Sequence, residues 1–365
     1  MRIALWLSGR FELTRGGGAQ NVRPMEGLRG FAVFLVFLVH YVSLVEPMMS
    51  TDARVIPLAH AMHTIGNTGV DLFFVLSGFL IYGSLITRTQ PFLRFMSRRV
   101  QRIYPAFIVV FAAYIVLSLL FPEESRIPDG DTQRAIYLAQ NFLLLPGLFP
   151  IEPMITVAWS LSYEMFYYLL IPLVIAVLGL RKASKSVRSV LFLIVAGLLA
   201  TYCAVHGGHV RLIMFIAGIL LYEALAGERV PALGALPALL VLIIGLLCTL
   251  LPYPGPAGYA LKVSILFAAF FLLCFSCFRD SSSWLAGGFS WTPLRWLGNM
   301  SYSYYLVHGL ALKGAFLVIA LLLPDPRFDS LIFWGLLPPM FLVSLVPAAL
   351  LFLLVERPYS LKVRG

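Results

Sequence analysis

The sequence predicts an all-α, polytopic membrane helix bundle, on three observations. Hydrophobic residues make up 60% of the chain against 12% charged, and the mean hydropathy is +0.89, well outside the range of soluble proteins. Apolar stretches of roughly 18 residues or more recur along the chain, each long enough to cross a hydrocarbon core about 30 Å thick as a helix. The short apolar–polar alternation of β-barrel strands is absent.

About ten transmembrane helices follow, at 27–46, 66–87, 103–121, 157–179, 189–206, 211–226, 233–251, 259–279, 296–322 and 330–354. Of the 27 lysines and arginines, nineteen fall in segments sharing a side with the N-terminus and six on the opposite side, with Arg29 and Lys313 inside spans. Positively charged loops stay inside, so both termini are expected in the cytoplasm. The same asymmetry explains the net charge of +10 as a topological signal, and no nucleic-acid partner is expected. Residues 1–24 read as a mobile cytoplasmic tail, because their apolar run "IALWL" is too short for a signal-peptide core. Residues 25–358 read as one membrane domain, and 359–365 as a short basic cytoplasmic tail. Between the third and fourth spans, "PEESRIPDGD" and "AIYLAQNFLLLPGLF" read as an outer loop with an interfacial or re-entrant piece.

Neither redox nor metal chemistry is expected. Cys203, Cys248, Cys274 and Cys277 lie in or beside apolar helices, where cysteine acts as a small hydrophobe, even though "CFSC" has redox-motif spacing. His60 with His63, and His206 with His209, have spacings a metal could use, but they read as solvated outer-loop residues without a third ligand.

The chemistry-bearing residues sit inside the spans. His40 interrupts the run "FAVFLVFLVHY", and Arg29 stands eleven residues before it. Eleven steps of about 100° come to roughly 20° beyond three turns, with a rise of roughly 16 Å, so one stripe of the first helix carries both. Two ionisable groups on one stripe argue for a polar cavity inside the bundle, because each is costly in lipid. Asp71, in "GNTGVDLFFVLSGF", and Glu164, in "WSLSYEMFYY", enter from the outer side and are expected at the depth of His40, where a carboxylate would orient the imidazole as a general base. On the inner side, "RFMSRRVQRIYP" supplies Arg98, Arg99 and Arg102 as a cluster able to cradle phosphates.

These residues resemble the acyltransferase 3 family of membrane O-acyltransferases. The resemblance runs from about Val22 to Pro358. It rests on "RPMEGLRGFAVFLVFLVHY", "VDLFFVLSGFLI", "RRVQRIYP", "WSLSYEMFYYLLIP", "LGNMSYSYYLVH" ending at His308, and "ERP" at 356–358, in the family's order. It implies transfer of an acetyl or short acyl group from cytoplasmic acyl-CoA to a hydroxyl of a cell-surface glycan, glycolipid or similar acceptor. It also implies a multi-pass protein of the bacterial inner membrane, with ten core helices, no permanently bound cofactor and membrane lipid as its surroundings. Some members append a further span and an outer esterase-like domain, and this chain is expected to be a stand-alone form. Arg29 and His40 take the positions needed for activity. His40 either deprotonates the acceptor or briefly carries the acyl group; Asp71 or Glu164 orients it; Arg98, Arg99 and Arg102, helped by Arg29, hold the donor's phosphates; His308 is a further candidate. A proton-coupled transporter of a small solute is the opposing reading, against which stands the lack of a matched pair of interrupted helices.

Overall fold

A computed structural model describes residues 2–13, 22–50, 54–227, 233–323 and 328–361. Among the described residues there are fifteen α-helices and no β-strand. In chain order they are α1 (Arg2–Phe11), α2 (Val22–Val45), α3 (Ile56–Gly66), α4 (Gly69–Ile86), α5 (Phe92–Leu120), α6 (Asp131–Phe142), α7 (Trp159–Val177) and α8 (Lys185–His206). There follow α9 (Ile213–Leu225), α10 (Ala235–Cys248), α11 (Gly255–Arg279), α12 (Trp284–Phe289), α13 (Thr292–Asn299), α14 (Ser301–Leu322) and α15 (Ser330–Leu351), which runs on into a π-helical stretch, Phe352–Leu361.

Eight stretches of 22–32 residues are long and apolar enough to cross a membrane: α2, α3 with α4, α5, α7, α8, α11, α14, and α15 with its extension. The outward faces agree. Leu198 and Val205 on α8 are 67% and 69% exposed, a surface that hydrocarbon solvates and water does not. The chain is therefore an integral multi-pass membrane protein. Two of the ten expected spans are shorter helices, α9 with 13 residues and α10 with 14. Each is roughly 20 Å long at 1.5 Å per residue. They are consecutive, so the sidedness of every other loop is the same whether or not this pair crosses.

The chain divides into two compact units. The first comprises Met1–Thr89, Ile171–Ser301 and Arg327–Phe333, and is organised around α2. Glycines let its helices meet backbone to backbone. A β-carbon at Gly30 would fall 2.0 Å from the Leu294 carbonyl oxygen, and one at Gly298 only 1.7 Å from that of Glu26, so α13 lies directly on α2. Polar groups hold the same junction: Arg295 Nε donates to the buried Glu26 at 3.0 Å, and Asn299 Nδ2 donates to the Phe11 carbonyl at 3.0 Å. The stretch read as a tail thus contains a helix whose end meets α13. Gly298→Val is expected to lower the thermal midpoint sharply, by the equivalent of about 3 kcal/mol or more, because backbone cannot retreat as a side chain can. Thermal unfolding in detergent checks this.

Elsewhere in the first unit, α4 and α9 make equally close contact. A β-carbon at Gly78 would fall 2.1 Å from the Phe215 carbonyl oxygen, and one at Gly218 2.0 Å from that of Val75. The fully buried Glu223 of α9 receives a two-pronged bond from Arg188 of α8, at 2.6 and 2.9 Å, together with the Tyr82 hydroxyl of α4. Buried charge of this kind persists only when paired and hydrogen-bonded.

The second unit comprises Gln90–Leu170, Tyr302–Pro326 and Trp334–Gly365. The segment expected as an outer loop carries α6, and Asn141 ties its end down: its Nδ2 donates to the Tyr137 carbonyl at 3.1 Å, and its Oδ1 accepts from Met154 N at 2.7 Å. Burial pushes the Tyr137 phenol up to about 12. The four cysteines are free thiols, and Cys274 and Cys277 are completely buried.

Candidate active site

Helix α2 runs unbroken through both Arg29 and His40, so the stripe they share is continuous. Arg29 Nη2 donates to Ser301 Oγ at 2.8 Å. His40, eleven residues further on, is half-buried. One of its electrostatic neighbours is another histidine, His63.

The packing of α3 and α4 on α2 explains that neighbour. Gly66 abuts Leu35 and Val39, while Gly69 abuts Ala32, Leu35 and Val36. Three residues forward along α3–α4 match three residues back along α2, which is an antiparallel register. Continued outward by three residues, it sets His63 opposite 38–42; continued inward by two, it sets Asp71 opposite 30–34. Asp71 therefore lies about two turns, roughly 12 Å along α2, from the level of His40. The equal depth expected from sequence does not hold for this pair, because the short α3 carries the chain inward before α4 begins. Asp71 is 1% exposed and its ionic partner is Arg211, whose Nε stands 3.5 Å from Oδ1 and donates to the Tyr259 hydroxyl at 2.7 Å. His60 and His63, read as outer-loop residues, are on α3 within an apolar stretch of 31 residues. His206 ends α8 and His209 precedes the turn Val210–Leu212. No cluster of three metal-ligating side chains occurs among the described residues.

In the second unit the three arginines expected to cradle phosphates, all on α5, have three different fates. Arg98 is exposed and, among the described residues, reaches Gln90 Oε1 at 3.4 Å. Arg99 lays its guanidinium over the rings of Phe95 and Tyr168, at 5.1 and 5.4 Å, and its buried Nε has no hydrogen-bond partner among the described residues. Arg102 donates to Glu356 Oε1 at 2.7 Å, while Glu356 Oε2 accepts from Ser303 N at 3.0 Å and Ser303 Oγ at 2.6 Å. Glu356 is fully buried, so the "ERP" segment is joined to α5 and the start of α14 by this one carboxylate.

Glu164 accepts from the Tyr168 hydroxyl at 2.6 Å, one turn along α7. Sequence reasoning separated Glu164 from the arginines, one toward the outer face and the others at the inner mouth. The structure brings Glu164 and Arg99 to the same tyrosine. Arg99 enters seven residues into a 29-residue helix, roughly 10 Å along it, and so reaches further in than a loop charge would. His308 is completely buried, stacked on Tyr304, with Nδ1 2.9 Å from the carbonyl oxygens of Tyr304 and Tyr305. Carbonyls only accept, so the neutral ring carries its hydrogen on Nδ1 and offers Nε2 as the basic atom.

Tyr168, Arg211, Glu356 and His63 were not predicted as members of these groups. The spacing between Gly66 and Gly69, read as a close helix contact, was the signal for His63. For Arg211 and Glu356 a partner distant in sequence was needed.

Comparison with known proteins places these features in context. The family model described as an acyltransferase domain (Acyl_transf_3) matches residues 24–355. An O-acetyltransferase OatA of Staphylococcus aureus is 29% identical over 316 residues, covering 78% of this chain and 49% of the relative. A putative peptidoglycan O-acetyltransferase YrhL of Bacillus subtilis is 25% identical over 371 residues, covering 92% of this chain and 54% of the relative. The chain thus spans about half the length of the curated relatives it matches. No solved structure matches it.

Proposed function

The chain belongs to the acyltransferase domain family defined by that match, and from this membership we propose that it is a membrane O-acyltransferase moving an acetyl or short acyl group from acyl-CoA to a glycan hydroxyl. The observation that supports the reading most directly is the continuous α2 with Arg29 and His40 on one stripe. A glycan acceptor fits the name of the Bacillus relative, which specifies peptidoglycan. The bacterial inner membrane, with both termini inside, is the location that fits the basic loops.

In the proposed reaction the acceptor oxygen attacks the thioester carbonyl, a carbon–oxygen bond forms and the carbon–sulfur bond breaks. His40 takes the hydroxyl proton; the departing thiolate takes a proton from water. If His40 instead carries the acyl group, the same bonds change in two steps, through the imidazole nitrogen. Arg99, aided by the exposed Arg98, binds donor phosphates. Arg102 is given a supporting part, because its charge is matched by Glu356.

The test is incubation of purified protein with labelled acetyl-CoA and a glycan acceptor. Label on the glycan with release of CoA thiol is expected; an intact thioester overturns the reading, and a transporter has no reason to cleave it. In the same assay Arg99→Gln is expected to raise the KM for acetyl-CoA about tenfold or more with a smaller effect on kcat, because phosphate contacts persist from ground to transition state. Arg99→Lys is expected to rescue only in part, since a point charge does not reproduce a planar fork that also stacks on Phe95 and Tyr168. Unchanged donor kinetics in Arg99→Gln would remove the phosphate role.

A further inference from the structure

Two titratable pairs lie in file along the α2–α3 contact. The antiparallel register sets His63 opposite 38–42, level with His40, and the two rings interact electrostatically. One turn back along α3, His60 Nε2 stands 2.7 Å from Glu46 Oε1, just past the end of α2. His40 and His63 are half-buried, whereas the side chains of His60 and Glu46 are 59% and 43% exposed. Accessibility thus rises from the half-buried His40 and His63 to the surface pair. The other charged groups on α2 and α4, namely Arg23, Glu26, Arg29 and Asp71, lie toward the opposite end of the contact.

A base that accepts a proton at every turnover must lose it before the next. Imidazole suits a relay because each ring takes a proton on one nitrogen and releases one from the other. We propose that His63 is the positioning and proton-relay partner of His40, receiving the acceptor hydroxyl's proton from it and passing it outward toward the His60–Glu46 pair and water. The proton balance is complete, since the thiolate is reprotonated by water on its own side. The inference rests on the reading of His40 as the group that handles acyl transfer, and it assigns His63 no contact with donor or acceptor.

The experiment measures CoA thiol release from acetyl-CoA, with a chitooligosaccharide as the hydroxyl probe, for the wild type, His40→Ala, His63→Gln and His63→Ala. His63→Gln is expected to lower kcat roughly tenfold at unchanged KM for acetyl-CoA, less than the full value of a general base. Added imidazole is expected to restore much of the lost rate to His63→Ala, which a purely structural role would not allow. If the wild type releases no CoA thiol, the acyltransferase reading fails and the relay with it; if His40→Ala turns over at the wild-type rate, His40 is not the base and the relay alone is overturned. If His40→Ala is inactive but His63→Gln keeps the wild-type kcat, the relay alone is overturned. Adjacency is checked apart from activity by pairing His40→Cys with His63→Cys in a background lacking the four native cysteines. Oxidative cross-linking of that pair is expected, and its failure in a folded protein overturns the proposal.

Discussion

His40→Ala is expected to reduce acyl transfer by about 10²- to 10⁴-fold, the usual worth of a positioned base, while insertion and folding stay close to normal. The imidazole is half-buried beside His63 rather than a filler of the α2 core, which is made of Leu35, Val36, Phe37, Tyr41 and Val42. Asparagine and glutamine are expected to be nearly as poor, because they keep a hydrogen bond but neither take a proton nor carry an acyl group. The measurement is kcat for label transfer from acetyl-CoA, read beside the thermal midpoint of each variant. A His40→Ala protein that transfers at the wild-type rate would assign His40 a structural role and move the search for the base to His308, whose Nε2 is the basic atom of its ring.

Glu356→Ala or Arg102→Ala is expected to cost about 3–5 kcal/mol of stability, the cost of leaving one member of a buried ion pair unmatched. Glu356 is fully buried and bonded to Arg102, Ser303 N and Ser303 Oγ, whereas the Arg102 side chain is 22% exposed. Glu356→Ala should leave Arg102 close to water, while Arg102→Ala leaves a carboxylate in the interior, so the second is expected to be the worse. Arg102→Met combined with Glu356→Leu is expected to recover much of the loss, because an apolar pair of similar volume needs no desolvation of charge. Denaturation midpoints in detergent check the ordering. Equal stability of Arg102→Ala and the wild type would free Arg102 for a direct role on the donor.

The long apolar helices were legible in the sequence, and so was the pairing of Arg29 with His40 on one stripe, since a period of 3.6 residues depends only on local geometry. The partners of those residues were not. Depth was misjudged for Asp71 because counting from a span's edge assumes one straight helix, whereas Gly66 and Gly69 bound a junction between α3 and α4. Histidines 60 and 63 read as loop because span boundaries were drawn from hydropathy, and α3 begins ten residues before the expected edge.

By itself the sequence determined that this is an α-helical membrane protein with the motifs of the acyltransferase 3 family, carrying its titratable groups within apolar helices. Those properties follow from hydropathy, local periodicity and motif order, each a matter of residues near one another along the chain. Only the tertiary structure decided that Glu356 takes Arg102, that Arg211 takes Asp71, that Tyr168 joins Glu164 to Arg99, and that His63 stands level with His40. In a medium without water every buried charge must find a partner in the protein, and which partner it finds is set by the register of packed helices, a quantity that local sequence does not contain.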